Sequence, residues 1–154
     1  MELKASEDID APIERVFQLL SDFDNLERLA ARRGLDVERR TQGDVSEGTQ
    51  WRVAFQLRGK GRTLDLTLKQ LQPATFLAVK GEGGGVSGLF NVELVALSPN
   101  CTRVAIVADL AASTLPGRLV LQSLKLARGK VEQRFRERIG KFVTILEERL
   151  GDYA

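Results

Sequence analysis

Any proton transfer in this chain falls to carboxylates, lysine, arginine or a hydroxyl, because its 154 residues include no histidine. That removes the commonest general base near neutral pH, serine–histidine and cysteine–histidine pairs, and ordinary zinc sites. Two carboxylates stand in segments whose pattern lets them face inward. Glu7 is in phase with Leu3, Ala5 and Ile9, and Asp109 lies in RVAIVADLAA, where both faces are small and apolar and the register stays open. A buried carboxylate needs a cationic partner or holds its proton more tightly, which is what acid–base work exploits. The plain alternative for both is a water-facing residue or an edge ion pair. Arg128 and Gln122 are further candidates, for fixing a polar head group. Tyr153, the single tyrosine, sits at the C-terminal end, where fraying is expected rather than catalysis. The lone Cys101 permits neither an internal disulfide nor a cysteine-cluster metal site, so no metal and no cofactor is expected.

The glycine cluster GEGGGVSG invites a phosphate-loop reading and fails it on context. No Lys-Ser/Thr follows, and the next segment alternates like a strand instead of opening a helix. A flexible hairpin between two strands is expected, placed where it could gate a cavity mouth.

These residues must be positioned by one domain spanning 1–154, because domains usually run to roughly 100–150 residues. With 43% hydrophobic and 29% charged residues the composition is that of a folded globular chain. A net charge of +2 gives no case for nucleic acid. No apolar run reaches the roughly 20 residues of a membrane span, and the acidic MELKASEDID lacks the pattern of an export signal, so a cytoplasmic location is expected.

Residues 2–10 alternate as a first strand, and Ala11-Pro12 turns the chain into a helix carrying Val16, Phe17, Leu19 and Leu20. A second short helix, capped at Ser21 or Asp22, runs through Leu26 and Leu29 until the Gly34 region. From Leu35 the period becomes two. Trp51, Val53, Phe55 and Leu57 share one face of a strand; after a RGKGR hairpin, Leu64, Leu66 and Leu68 repeat the pattern. Further strands are expected at 75–81, 87–97 and 102–112. One-sided alternation with short turns means an antiparallel sheet with one covered face. Its cover is predicted to be a single helix over 116–150, roughly 50 Å long, striped by Val120, Leu124, Ala127, Val131, Phe135, Ile139, Phe142, Leu146 and Leu150. Its exposed side pairs Glu132 with Arg136 and Glu137 with Lys141 at helical spacing. Leu119, Leu121 and Leu126 exceed the stripe and serve either a wide core or a contact with a second copy or a membrane surface. Gly129 and Gly140 allow a bend or a close approach to the sheet.

The stretch DIDAPIERVFQLLSDFDNLERL resembles the opening of the START-like (SRPBCC) superfamily, which includes polyketide cyclase/dehydrase-like proteins and others similar to a small carbon monoxide dehydrogenase component. Ile9, Ala11, Pro12, Val16 and Phe17 carry the pattern, and EGTQWRV is similar to the family's glycine-led third strand. The resemblance implies an α+β helix-grip fold: a curved antiparallel sheet of about seven strands wrapped on a long C-terminal helix, with two short helices after strand one. It also implies a cavity between sheet and helix for a lipid, sterol, quinone or polyketide-like molecule. The expected lining is Trp51, Val53, Phe55, Leu66, Leu77, Val79, Phe90, Val92, Ile106, Leu124 and Val131, some of which must instead be plain core.

Two functions follow as alternatives to be separated. One is non-catalytic binding or transport of a hydrophobic small molecule, favoured by the missing histidine. The other is a polyketide cyclase/dehydratase-like enzyme using Glu7 or Asp109. A protein–protein helper, docking through the apolar start of the C-terminal helix, is a third.

Overall fold

A computed structural model describes residues 1–152; Tyr153 and Ala154 lie outside the described residues. The chain runs β1 (Glu2–Ile9), α1 (Ile13–Leu20), α2 (Phe23–Arg32), β2 (Asp36–Arg39), β3 (Gln50–Leu57), β4 (Lys60–Gln72), β5 (Phe76–Gly83), β6 (Val86–Ser98), β7 (Cys101–Ala112), α3 (Leu115–Leu126) and α4 (Arg128–Asp152). Seven strands form one curved antiparallel sheet in the order β1-β7-β6-β5-β4-β3-β2, so the first strand pairs with the last and leaves β1 and β2 at the edges. This is the α+β helix-grip arrangement, with α4 laid along β1 and α1 and α3 against β6 and β7.

The turn that starts α1 is tied down far along the chain. Thr102, fully buried, donates its hydroxyl to the Ala11 carbonyl at 2.8 Å. That bond fixes the angle at which Val16, Phe17, Leu19 and Leu20 enter the core. There they meet Leu77, Val92, Leu94, Val104 and Ile106 of the sheet and Val143 and Leu146 of α4. All of these side chains are buried.

The expected single C-terminal helix is two helices. Ala127 leaves helical geometry (φ −102°, ψ 27°) and caps α3, so the break comes just ahead of Gly129. The break shifts the phase of the apolar stripe. Val131, Phe135, Ile139, Phe142, Leu146 and Leu150 remain on the inner side of α4, whereas Val120 and Ala127 are exposed and α3 turns Gly117, Leu121 and Leu124 inward instead. Leu115, Leu119 and Leu126 are 71%, 59% and 92% exposed.

The glycine cluster is a hairpin, as its context requires. Gly83 pairs with Val86, and Gly84 and Gly85 between them have φ of +61° and +78°, the two positive values of a tight primed turn. The tip is held: Ser113 N donates to the Gly85 carbonyl at 2.9 Å, and a Cβ on Gly117 would overlap that oxygen. Glycine at 117 therefore permits contact between α3 and the hairpin.

Candidate functional site

Cross-strand partners share a face, so the register identifies the lining of the concave side. One row reads Trp51, Leu66, Gly81, Gly88, Leu110; the next reads Leu68, Val79, Phe90, Ala108, Leu3. Gly81 and Gly88 face each other at the centre. Without side chains they let Leu66 and Phe90 lie down across the sheet, 3.3 Å and 3.1 Å from where a Cβ on each glycine would sit.

Over the β2–β5 end of this face lies α2, and between them is an apolar hollow of about 210 Å³ lined by Phe23, Leu26, Glu27, Ala30, Val37, Trp51, Val53, Leu66 and Val79. The α2 residues Phe23, Leu26, Glu27 and Ala30 share one helical face by their spacing of three and four. Trp51 is only 6% exposed and its ring centroid lies 5.5 Å from that of Phe23. Leu26, Ala30, Leu66 and Val79 stay half-buried, in contrast to the filled core at the α1 end.

Glu27 is the one titratable side chain in that lining. Its Oε1 accepts from Trp51 Nε1 at 2.8 Å and from Arg39 Nε at 2.7 Å, and Arg39 also donates to Asp24 at 2.6 Å. The two carboxylates, Glu27 first, hold the Arg39 guanidinium above its ordinary value. Oε2 of Glu27 has no protein donor among the described residues.

Of the expected lining, Trp51, Val53, Leu66 and Val79 come together in the hollow. Leu77, Val92 and Ile106 belong to the solid core. Phe55 and Phe90 are half-buried on the same concave face outside the hollow, and Leu124 and Val131 are half-buried on α3 and α4. Glu7 faces α4, its Oε1 3.3 Å from where a Cβ on Gly140 would sit. Asp109 pairs with Glu2 and Leu89 on the opposite, outer face and is exposed. Arg128 is bound to Glu132 at 2.9 Å and Gln122 is exposed. Burial, with Asp10 and Asp8 close by, pushes the Cys101 thiol up. Among the described residues no group of three or more His, Cys, Asp or Glu could hold a metal ion. Tyr153 lies outside the described residues.

The sequence places the cavity between the sheet and the C-terminal helix; the hollow lies instead under α2, with no α3 or α4 residue among the described residues of its lining, and the α2 wall and Glu27 were missed. The signal for the wall was present in the spacing of Phe23, Leu26 and Ala30. Glu27 carried none, because the partners that orient it stand 24 and 12 residues away.

A family model described as "Polyketide cyclase / dehydrase and lipid transport" matches residues 1–147. Among solved structures, TTHA0849 from Thermus thermophilus superposes with a TM-score of 0.71 at 18% identity, covering 100% of this chain and 99% of that one. A START superfamily protein from Mycobacterium smegmatis gives 0.66 at 13%, covering 99% of each chain. The Zhui aromatase/cyclase from Streptomyces sp. R1128 gives 0.61 at 15%, covering 88% of this chain and 96% of that one. At these identities the likeness is one of fold. No curated protein matches the sequence.

Proposed function

The chain belongs to the polyketide cyclase/dehydrase and lipid transport family, and from that premise we propose that it binds or carries a hydrophobic small molecule under α2, against Trp51, Val53, Leu66 and Val79. The carrying observation is the apolar hollow itself: large side chains at its wall remain half-buried while the neighbouring core is closed. Burial of a ligand there gains roughly 25 cal/mol per Å² of apolar surface. Glu27, held by Trp51 and Arg39, supplies one polar anchor for orientation.

Native mass spectrometry of the purified protein tests this, paired with titration of the neutral fluorophore N-phenyl-1-naphthylamine. A co-purifying apolar molecule, or saturable probe binding that Ala30→Trp abolishes by filling the hollow, is the expected result. No adduct and no saturable binding would overturn the reading.

A second reading, a cyclase/dehydratase-like enzyme, draws on Glu27 rather than on the two carboxylates the sequence brings forward. Glu27 is the one titratable side chain in the apolar lining, and its Oε2 has no protein donor among the described residues, which leaves that oxygen open to accept a proton. In that case Glu27→Gln abolishes turnover of a polyketide-like substrate while probe binding survives, and Glu7→Gln and Asp109→Asn change neither.

A further inference from the structure

A second cavity opens between α2 and α4. It is a cleft of about 480 Å³ walled by Leu26, Leu29, Ala30, Phe142 and Ile145, with Arg33, Arg138 and Lys141 as its polar lining. It shares Leu26 and Ala30 with the inner hollow, on the adjoining face of α2.

The charge of this lining is one-sided. Three cations border it and no carboxylate does. Among the described residues none of the three forms an ion pair or a side-chain hydrogen bond, although the whole chain has a net charge of only +2. The acid spaced to pair with Lys141 is engaged elsewhere: Glu137 accepts from Gln133 Nε2 at 3.2 Å. Some arginines are matched, as in Arg39 with Glu27 and Asp24, Arg52 with Asp65 and Arg103 with Asp8, and others on the surface are not; what sets these three cations apart is that they converge on one apolar cleft. Long cationic side chains commonly lay their stems along apolar surface, and that accounts for their position. It does not account for three of them bordering the same cleft with no carboxylate among the described residues of its lining.

The geometry points to an anionic amphiphile as the occupant: an apolar chain or ring in the inner hollow and cleft, its acidic head, carboxylate or phosphate, at Arg33, Arg138 and Lys141. This rests on the proposed ligand role of the hollow and adds the chemistry of the head group. Exposed charges act over roughly 8 Å at physiological salt, so the head-group contribution should weaken as salt rises.

Calorimetric titration of the full chain with decanoate, decyl phosphate and decanol separates the possibilities, with Trp51, the only tryptophan, reporting optically whether the chain end reaches the hollow. We expect at least one anion to bind tenfold or more tighter than decanol, a difference of about 1.4 kcal/mol. The advantage should disappear in the Arg33→Gln, Arg138→Gln, Lys141→Gln variant, with decanol binding retained. These positions are exposed, so the variant is expected to fold normally; circular dichroism checks it. Whichever anion gains more names the head group. Equal binding of all three ligands, unchanged in the variant, overturns the inference and leaves the apolar site standing. No binding by any of them, decanol included, overturns both.

Discussion

Single residues decide whether the concave face is chemistry or packing. Glu7 follows the inward phase of β1 as its spacing predicts, yet it ends against Gly140 and not in the hollow. Asp109 shows how little a strand with two small apolar faces says about register: pairing with Glu2 sends it outward. Another residue-scale consequence concerns the β3–β4 hairpin, whose turn residues Arg58 and Gly59 both have positive φ, 53° and 78°. A side chain at such a position costs roughly 1 kcal/mol unless it is Asn or Gly. Arg58→Asn creates the Asn-Gly pair this turn prefers and should stabilise the fold by about 0.5–1 kcal/mol. Thermal unfolding checks it; an unchanged or lowered midpoint would contradict the turn assignment.

At the scale of elements, α3 is the piece whose behaviour the sequence hid. The run from 110 to 131 holds four basic residues and no acid, and periodicity alone continued it into the next helix. The break at Ala127 redirects it, so that Leu121 faces the sheet while Leu119 and Leu126 face solvent. Contact of that surface with a second copy or a membrane is a proposal. Two attachments hold α3: Thr114 caps it by accepting from Gly117 N at 3.1 Å, and the Gly85 carbonyl lies against Gly117. Gly117→Ala should force the two apart, because the atom that must yield is backbone; overpacking of this kind costs roughly 1–3 kcal/mol. Hydrogen exchange should then quicken at Ser113 and in α3 while α1 and β7 stay slow. Equal exchange in both proteins would show that the hairpin does not restrain the helix.

For the whole molecule, the contrast between a buried core cluster and a half-buried apolar hollow is the property that matters. The core cluster is built from α1, the β5–β7 strands and the second half of α4; the hollow is roofed by α2, which is tied back by Arg149, donating to Asn25 at 2.8 Å and to Asp22 at 3.3 Å. A ligand that occupies the hollow binds the native state alone. At a concentration a hundredfold above Kd it should therefore add about 2.7 kcal/mol, raising the midpoint of a chain this size by about 5–10 °C. Differential scanning calorimetry with and without the best-binding probe measures this. A ligand that binds without raising the midpoint would have to bind the unfolded chain equally well, which excludes a site made by the fold.

Alternation with a period of two, the Ala-Pro turn and the glycine hairpin determined, from the residues alone, the strands, the covered face and the two small helices. They did so because backbone geometry converts spacing directly into direction: Trp51, Val53, Leu66 and Val79 had to share a side. Which of those apolar side chains touch one another and which border empty space is a matter of distance between elements that no local pattern encodes. Only the tertiary structure decided that Leu77, Val92 and Ile106 are core, that α2 roofs the hollow, that Glu27 is oriented by Trp51 and Arg39, and that Arg33, Arg138 and Lys141 border one cleft between α2 and α4. Each of those outcomes depends on chain segments far apart in sequence meeting at van der Waals or hydrogen-bond range.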